Sequence, residues 1–290
     1  MRRKWIAFIM IGILVLGCMG CSSETKETNM GQPTETTENI ETTENEETTE
    51  NAETTEEERE YYVLFVGNSY TQYNSMPAIF ARIGESLGYN IKIKMVTEGG
   101  HQLSKWADPN DDKGAILERV LTEEKFDYVI LQEKSSITMG DKINDFYDAV
   151  RTLARRIRET GAEPVLYSTW GSESSLAQTN GWSIEYFTWK VSAAHENIGR
   201  ELEIPVVYVG LAFYDIFCNA KEINLYAYDK AHPSYSGSYL AAATLFAGVF
   251  GADPTPNTYD KKLKDGEHKI LCEAARKAVF ETPRIPEEYN

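Results

Sequence analysis

Apolar residues are unevenly distributed along this chain: beyond position 60 they form short unbroken runs that alternate with longer stretches of helical spacing. Runs such as 63–66 and 129–131 have no polar position on either face, the pattern of strands covered from both sides. These runs predict strands over 61–66, 91–97, 128–132, 164–169 and 206–210. Between and after them, apolar positions three and four apart predict helices over 75–87, 115–125, 143–160, 184–202, 236–250 and 263–280. Ser75 is placed to cap the first of these helices and Gly88 to stop it, and Gly161 stops the third. Each pair of successive strands is separated by enough chain for a crossover. The expected fold class is therefore α/β, a three-layer α/β/α sandwich around a five-stranded parallel sheet. Ligands of such sheets sit beyond the carboxyl ends of the strands, which directs the search for chemistry.

Before position 61 the pattern is different. Arg2, Arg3 and Lys4 precede an apolar run over 5–16, the charged-then-apolar order of an export signal, and the run is short for a membrane span. Leu14-Val15-Leu16-Gly17-Cys18 resembles a bacterial lipobox, with Cys18 as the expected lipidation site and Cys21 as the alternative. Residues 1–21 thus read as a lipoprotein signal peptide. Residues 22–60 are almost all Ser, Thr, Glu, Asn and Gln, and nothing in them can form a core. That segment holds fourteen glutamates against Lys26 and Arg59, a net of −12, while residues 1–21 contribute +3. Of the total of −16, only −7 remains for residues 61–290. The acidity belongs mainly to a solvated tether, with one globular domain over 61–290 held at the outer face of a membrane through a lipid.

A mildly acidic domain with no basic stripe excludes a nucleic-acid partner. Within residues 61–290 no Cys-x-x-Cys or His-Glu-x-x-His spacing is present, so neither a metal nor another cofactor is expected. Cys218 and Cys272 lie in the domain, and the sequence leaves open whether they pair, as it does the oligomeric state.

The first predicted strand runs into Gly67-Asn68-Ser69-Tyr70-Thr71. A serine on such a strand-to-helix turn is held out at the sheet edge, near backbone N–H groups that can stabilise an oxyanion. Far along the chain stands Tyr228-Asp229-Lys230-Ala231-His232-Pro233-Ser234. Three positions apart in a tight turn, the carboxylate can reach the imidazole Nδ1–H and fix its tautomer, leaving Nε2 to face a serine.

Together these segments resemble the SGNH hydrolases, the GDSL-like lipases and esterases, over about residues 62–250. The resemblance implies an SGNH/flavodoxin-like sandwich and a serine esterase with Ser69 as nucleophile and His232 and Asp229 as its base system. It also implies an oxyanion hole formed by the N–H groups of Ser69 and Gly100, the latter in Glu98-Gly99-Gly100-His101, and by a third side-chain donor. The family's first block commonly has Asp where Asn68 stands and Leu where Tyr70 stands. Its third block ends a strand with Gly-x-Asn-Asp, where this chain has Val129-Ile130-Leu131-Gln132-Glu133, so the Gln132 amide is the expected third donor, in a divergent branch. His101, beside the oxyanion glycine, and Trp170, after the fourth strand, are expected to touch substrate. Residues 171–181 read as a loop over the site. Gly84-Glu85-Ser86-Leu87-Gly88 has the form of a hydrolase nucleophile motif, but it falls in a helix with no strand before it, so Ser86 reads as structural. His195 and His268 lie in predicted helices and read as packing or surface residues.

The expected reaction is hydrolysis of small esters, acetyl foremost, with carbohydrate outside the cell as the expected alcohol. An acyltransferase using the same site, or an inactive glycan-binding lipoprotein, are the alternatives.

Overall fold

The computed structural model describes residues 59–289, so the expected export signal, Cys18, Cys21 and nearly all of the expected tether lie outside it. In chain order its elements are β1 (Glu60–Gly67), α1 (Ser69–Gln72), α2 (Met76–Ser86), β2 (Asn90–Thr97), α3 (Leu103–Trp106), α4 (Asp112–Glu123), β3 (Tyr128–Gln132) and α5 (Ile143–Glu159). There follow β4 (Glu163–Ser168), α6 (Ser175–Thr179), α7 (Ile184–Leu202), β5 (Val206–Tyr208), α8 (Val209–Asn219), α9 (Tyr235–Phe250) and α10 (Glu267–Phe280). The five strands are all parallel, in the order β2-β1-β3-β4-β5. The expected α/β class and five-stranded parallel sheet are therefore what the chain forms.

Alternation along each strand sends successive side chains to opposite faces of the sheet. Val63, Phe65, Ile130 and Val165 join one core with α2, α8, α9 and α10. Leu64, Val66, Val129 and Leu131 join the other, beneath α4, α5 and part of α7. Both cores reach 0% exposure at β1, which is why that strand reads as apolar throughout. Helix α9 is apolar on nearly every side, because α2, α8 and α10 enclose it together with the sheet. It is thus a fixed base for the turn that immediately precedes it, residues 229–234.

Three local expectations are corrected. Ser75 does not cap α2 with its side chain; it is left-handed at φ 54°, as is Asn74 before it, because the chain kinks between α1 and α2. The fifth strand stops at Tyr208, and α8 begins at once, packed so tightly on the end of β4 that a Cβ on Gly210 would lie 2.2 Å from the Thr169 carbonyl oxygen. The last helix starts at Glu267 and not near position 263. Cys218 is exposed, Cys272 is buried and both are free thiols, so they form no bridge.

Candidate active site

The chain leaves β1 towards β2 on one side and returns to β3 on the other, so a crevice opens at the carboxyl end of β1, the usual ligand position in such sheets. Ser69 sits there as the first residue of α1. Asn68 caps that helix, its Oδ1 accepting from the Tyr70 N–H at 3.1 Å, while its Nδ2 donates to the His101 carbonyl at 3.0 Å. An aspartate could cap but could not donate, so the asparagine additionally ties the nucleophile turn to the turn that holds Gly100.

The structure brings Ser69, His232 and Asp229 together across 163 positions of sequence. His232 Nε2 lies 2.8 Å from Ser69 Oγ, and Nδ1 lies 2.5 Å from Asp229 Oδ2. Asp229 Oδ1 accepts from the backbone N–H groups of Ala231 and His232 at 3.1 and 3.0 Å, which closes the turn. Partial burial opposes ionisation of Asp229. The hydrogen bonds from the His232 ring and the two N–H groups outweigh it and hold the carboxyl below its ordinary range. With Nδ1–H committed to a carboxylate, Nε2 is the lone-pair nitrogen that can accept the Ser69 proton.

Gly100 lies across the crevice at φ +67°, a conformation that favours glycine. Among the described residues neither the Ser69 nor the Gly100 N–H finds an acceptor, and both residues line a cavity of about 300 Å³ with His232. Tyr70, Leu176 and Phe187 give it apolar surface, and Ser135, Ser136, Ser172 and Ser174 give it hydroxyls. The 171–181 segment lies at the site as expected, with α6 inside it.

Three expected site residues stand elsewhere. Gln132 is 1% exposed and does not line the cavity. Its Oε1 accepts from the Asn68 N–H and from the Thr71 hydroxyl, both at 2.9 Å, so its Nε2 is turned away and donates to the Glu133 carbonyl at 2.6 Å. The Asn68 N–H needs an acceptor, and this fixes which end of the amide faces it. Gln132 therefore braces the nucleophile turn and does not supply the third donor. Gly67 permits the close approach, since a Cβ there would lie 2.6 Å from Gln132 Oε1. The His101 ring packs edge-on against Trp106 with centroids 4.4 Å apart and lies 3.4 Å from Asp111, away from the cavity. Burial, opposed by Asp111, keeps its imidazole below the ordinary range. Trp170 is fully buried, so no substrate reaches it. Stacked between Tyr70 and Phe213 at centroid distances of 4.6 and 4.1 Å, it donates from Nε1 to the Ala231 carbonyl at 3.0 Å and thereby supports the His232 turn.

The remaining candidates are structural. Ser86 bonds back to the Ile83 carbonyl, His195 is buried with Nδ1 on the Val191 carbonyl, and His268 reaches Asn257.

Sequence reasoning missed Tyr73, Asn74 and Glu133. The Tyr73 ring stacks on His232, with centroids 4.3 Å apart and planes 14° from parallel, an aromatic face that favours a positive imidazolium. Asn74, in the kink, places Nδ2 at 3.1 Å from the Pro233 carbonyl, 3.0 Å from the Ser234 carbonyl and 2.9 Å from Ser238 Oγ, stitching the nucleophile segment to the histidine segment. No periodicity signals either, because each acts on a partner some 160 positions away.

Glu133 is 1% exposed, and burial pushes its carboxyl up to about 8 despite two backbone N–H donors. From about pH 4.5 to about 8 the folded protein holds a proton that the unfolded chain, at the ordinary 4.5, has lost. Stability from this group is present below that window and declines as pH rises through it. The urea midpoint of Glu133→Gln relative to the native protein should therefore increase as pH rises from about 5 to about 8. A difference independent of pH would contradict the buried acid.

No protein-family model matches the chain, and no curated protein matches it either. Solved structures do. A candidate SGNH hydrolase from Slackia heliotrinireducens is 26% identical with a TM-score of 0.58, over 66% of this chain and 100% of that one. A DUF4886 family protein from Bacteroides uniformis is 19% identical with a TM-score of 0.66, over 79% and 98%. Axe2, an acetylxylan esterase from Geobacillus stearothermophilus, is 15% identical with a TM-score of 0.50, over 67% and 95%. The fold of this chain is SGNH hydrolase-like.

Proposed function

We propose that this protein is a serine esterase that removes small acyl groups, acetyl foremost, from carbohydrate outside the cell, where a lipid on Cys18 would hold it. The observation that carries the reading is the Ser69–His232–Asp229 chain of hydrogen bonds at 2.8 and 2.5 Å, facing two unpaired N–H groups. Ser69 Oγ attacks the ester carbonyl carbon while His232 Nε2 takes its proton. The carbonyl oxygen, now negative, accepts from Ser69 N–H and Gly100 N–H, while Asp229 and the Tyr73 face stabilise the imidazolium. Collapse breaks the bond to the alcohol oxygen, which takes the proton from His232 and leaves an acyl group on Ser69. Water repeats the sequence and frees the acid.

A cavity of about 300 Å³ suits a short acyl group. A carbohydrate alcohol is supported by a second groove of about 440 Å³, lined by Phe217, Lys221, Asn224, Tyr226, Tyr228 and Lys230. It shares the 226–232 segment with the site, and Tyr228, next to the proposed catalytic aspartate, is 96% exposed. Such a ring offers a face to the C–H side of a sugar, with polar groups nearby for the hydroxyls. Tyr228→Ala is expected to raise KM about three- to tenfold for an acetylated oligosaccharide and leave p-nitrophenyl acetate unchanged, the loss of about one aromatic contact. Equal effects on both substrates would remove the carbohydrate assignment.

Labelling by a fluorophosphonate, lost in Ser69→Ala, tests the serine enzyme directly. An unlabelled native protein would leave the inactive glycan-binding reading. Product analysis with a sugar acceptor present separates hydrolysis from acyl transfer.

A further inference from the structure

We propose that Glu133 is a positioning residue of the oxyanion site, its single carboxyl group tying the Gly100 turn to the facing cavity wall at 134–136. The inference rests on the esterase reading for its kinetic consequence but on geometry alone for the tie. Both carboxyl oxygens lie 3.2 Å from the Leu103 N–H, the first residue of α3, which follows Gly100 by three positions. Oε1 also accepts from the Lys134 N–H at 2.6 Å, at the start of the segment whose Ser135 and Ser136 line the cavity. The Glu133 carbonyl takes the Gln132 amide, whose other end holds the Asn68 N–H. One strand end thus fastens three pieces of the site: the nucleophile turn through Gln132, and the Gly100 turn and the serine wall through Glu133.

The chemistry explains why an acceptor side chain stands there. Among the described residues Glu133 has no ion-pair partner, so its burial is offset mainly by these N–H donors, with the Lys134 charge adding less. Two backbone donors converging from different segments require acceptor oxygen towards both. An alanine offers none, and leaves both N–H groups buried and unpaired. A glutamine keeps the shape and one acceptor oxygen. Because a misplacement of about 1 Å can cost about 10²-fold in rate, slack in the Gly100 turn should appear in turnover before it appears in substrate binding.

The test combines steady-state kinetics with site-resolved amide exchange on the native protein, Glu133→Ala and Glu133→Gln. Glu133→Ala should lower kcat about 10- to 100-fold with KM changed less than about twofold. Exchange should accelerate in the two segments at Leu103 and Lys134, whose N–H groups Glu133 accepts, while the bonded N–H groups at 70–72 and 230–232 stay protected. Glu133→Gln should recover most of the rate and of the protection. Exchange that rises evenly along the chain, or is unchanged at those two segments, overturns the proposal, as does an unaffected kcat in an active enzyme. If the native protein neither turns over esters nor labels with fluorophosphonate, the esterase reading fails, and the exchange pattern still decides whether Glu133 holds the two segments.

Discussion

Ser69→Ala is expected to lower kcat for a short acyl ester by about 10⁴–10⁶, leaving only what the oxyanion N–H groups and binding contribute. The substitution removes one hydroxyl whose bond in the structure is to His232 Nε2, at the first position of a short helix where alanine is well tolerated. The fold should be unaffected, with a thermal midpoint within a few degrees of the native one, about what a change below 1 kcal/mol produces in a domain of this size. The measurement is turnover of p-nitrophenyl acetate by both proteins, with circular dichroism as the control on folding. A Ser69→Ala protein as fast as the native one would mean that the hydrolysis comes from another group, and the assignment of the site would fall.

Asp229→Asn is the second large effect, with kcat expected to fall by about 10⁴ in a folded protein. The aspartate does two things at once. Its Oδ1 holds the Ala231 and His232 N–H groups, and its Oδ2 accepts the proton on His232 Nδ1. Asparagine retains the first task through its carbonyl oxygen, so the turn should persist. It presents an NH₂ group for the second, which forces Nδ1 to accept and therefore moves the ring proton to Nε2. That nitrogen then has no lone pair for the Ser69 proton. Asp229→Asn should consequently bind substrate with nearly native KM, and a loss in KM in place of kcat would contradict the tautomer argument. The native carboxyl also ties the turn to pH. Its value lies below the ordinary 3.8, so the stability it adds is present above 3.8 and is lost as pH falls through the lower, folded value.

β1, β3 and β4 were legible because each is an apolar run covered on both faces, whereas β2 is a half-exposed edge strand whose apolar residues alternate with Lys92 and Lys94. Four of the five strands match the expected positions to within a residue at each end, and the fifth differs because α8 starts where it should have continued. The reason is a tertiary one: Gly210 lets a helix press on the end of β4, and a glycine in a sequence does not say what it will be pressed against. The same limit governed Gln132. Its amide is the right group for an oxyanion donor, and the strand end is the right place. The direction of that amide depended on the Asn68 N–H, on the neighbouring strand's turn, which takes its oxygen as acceptor, and hydrogen-bond partners across strands have no sequence spacing. Trp170 and His101 were drawn away in the same manner, one into an aromatic stack and the other against Trp106.

By itself the sequence determined the parallel sheet, the serine at the end of its first strand, and a carboxylate and imidazole spaced to meet in one turn. All of these depend on neighbours within a few positions or on alternation along a single element. The tertiary structure decided which segments face each other: that Tyr73 covers His232, that Asn74 fastens it, that Glu133 lies beneath the Gly100 turn, and that Gln132 braces instead of donating. The contacts by which Tyr73, Asn74, Glu133 and Gln132 reach other segments join residues 30 to 164 positions apart, where only the packing of elements fixes the distance between them.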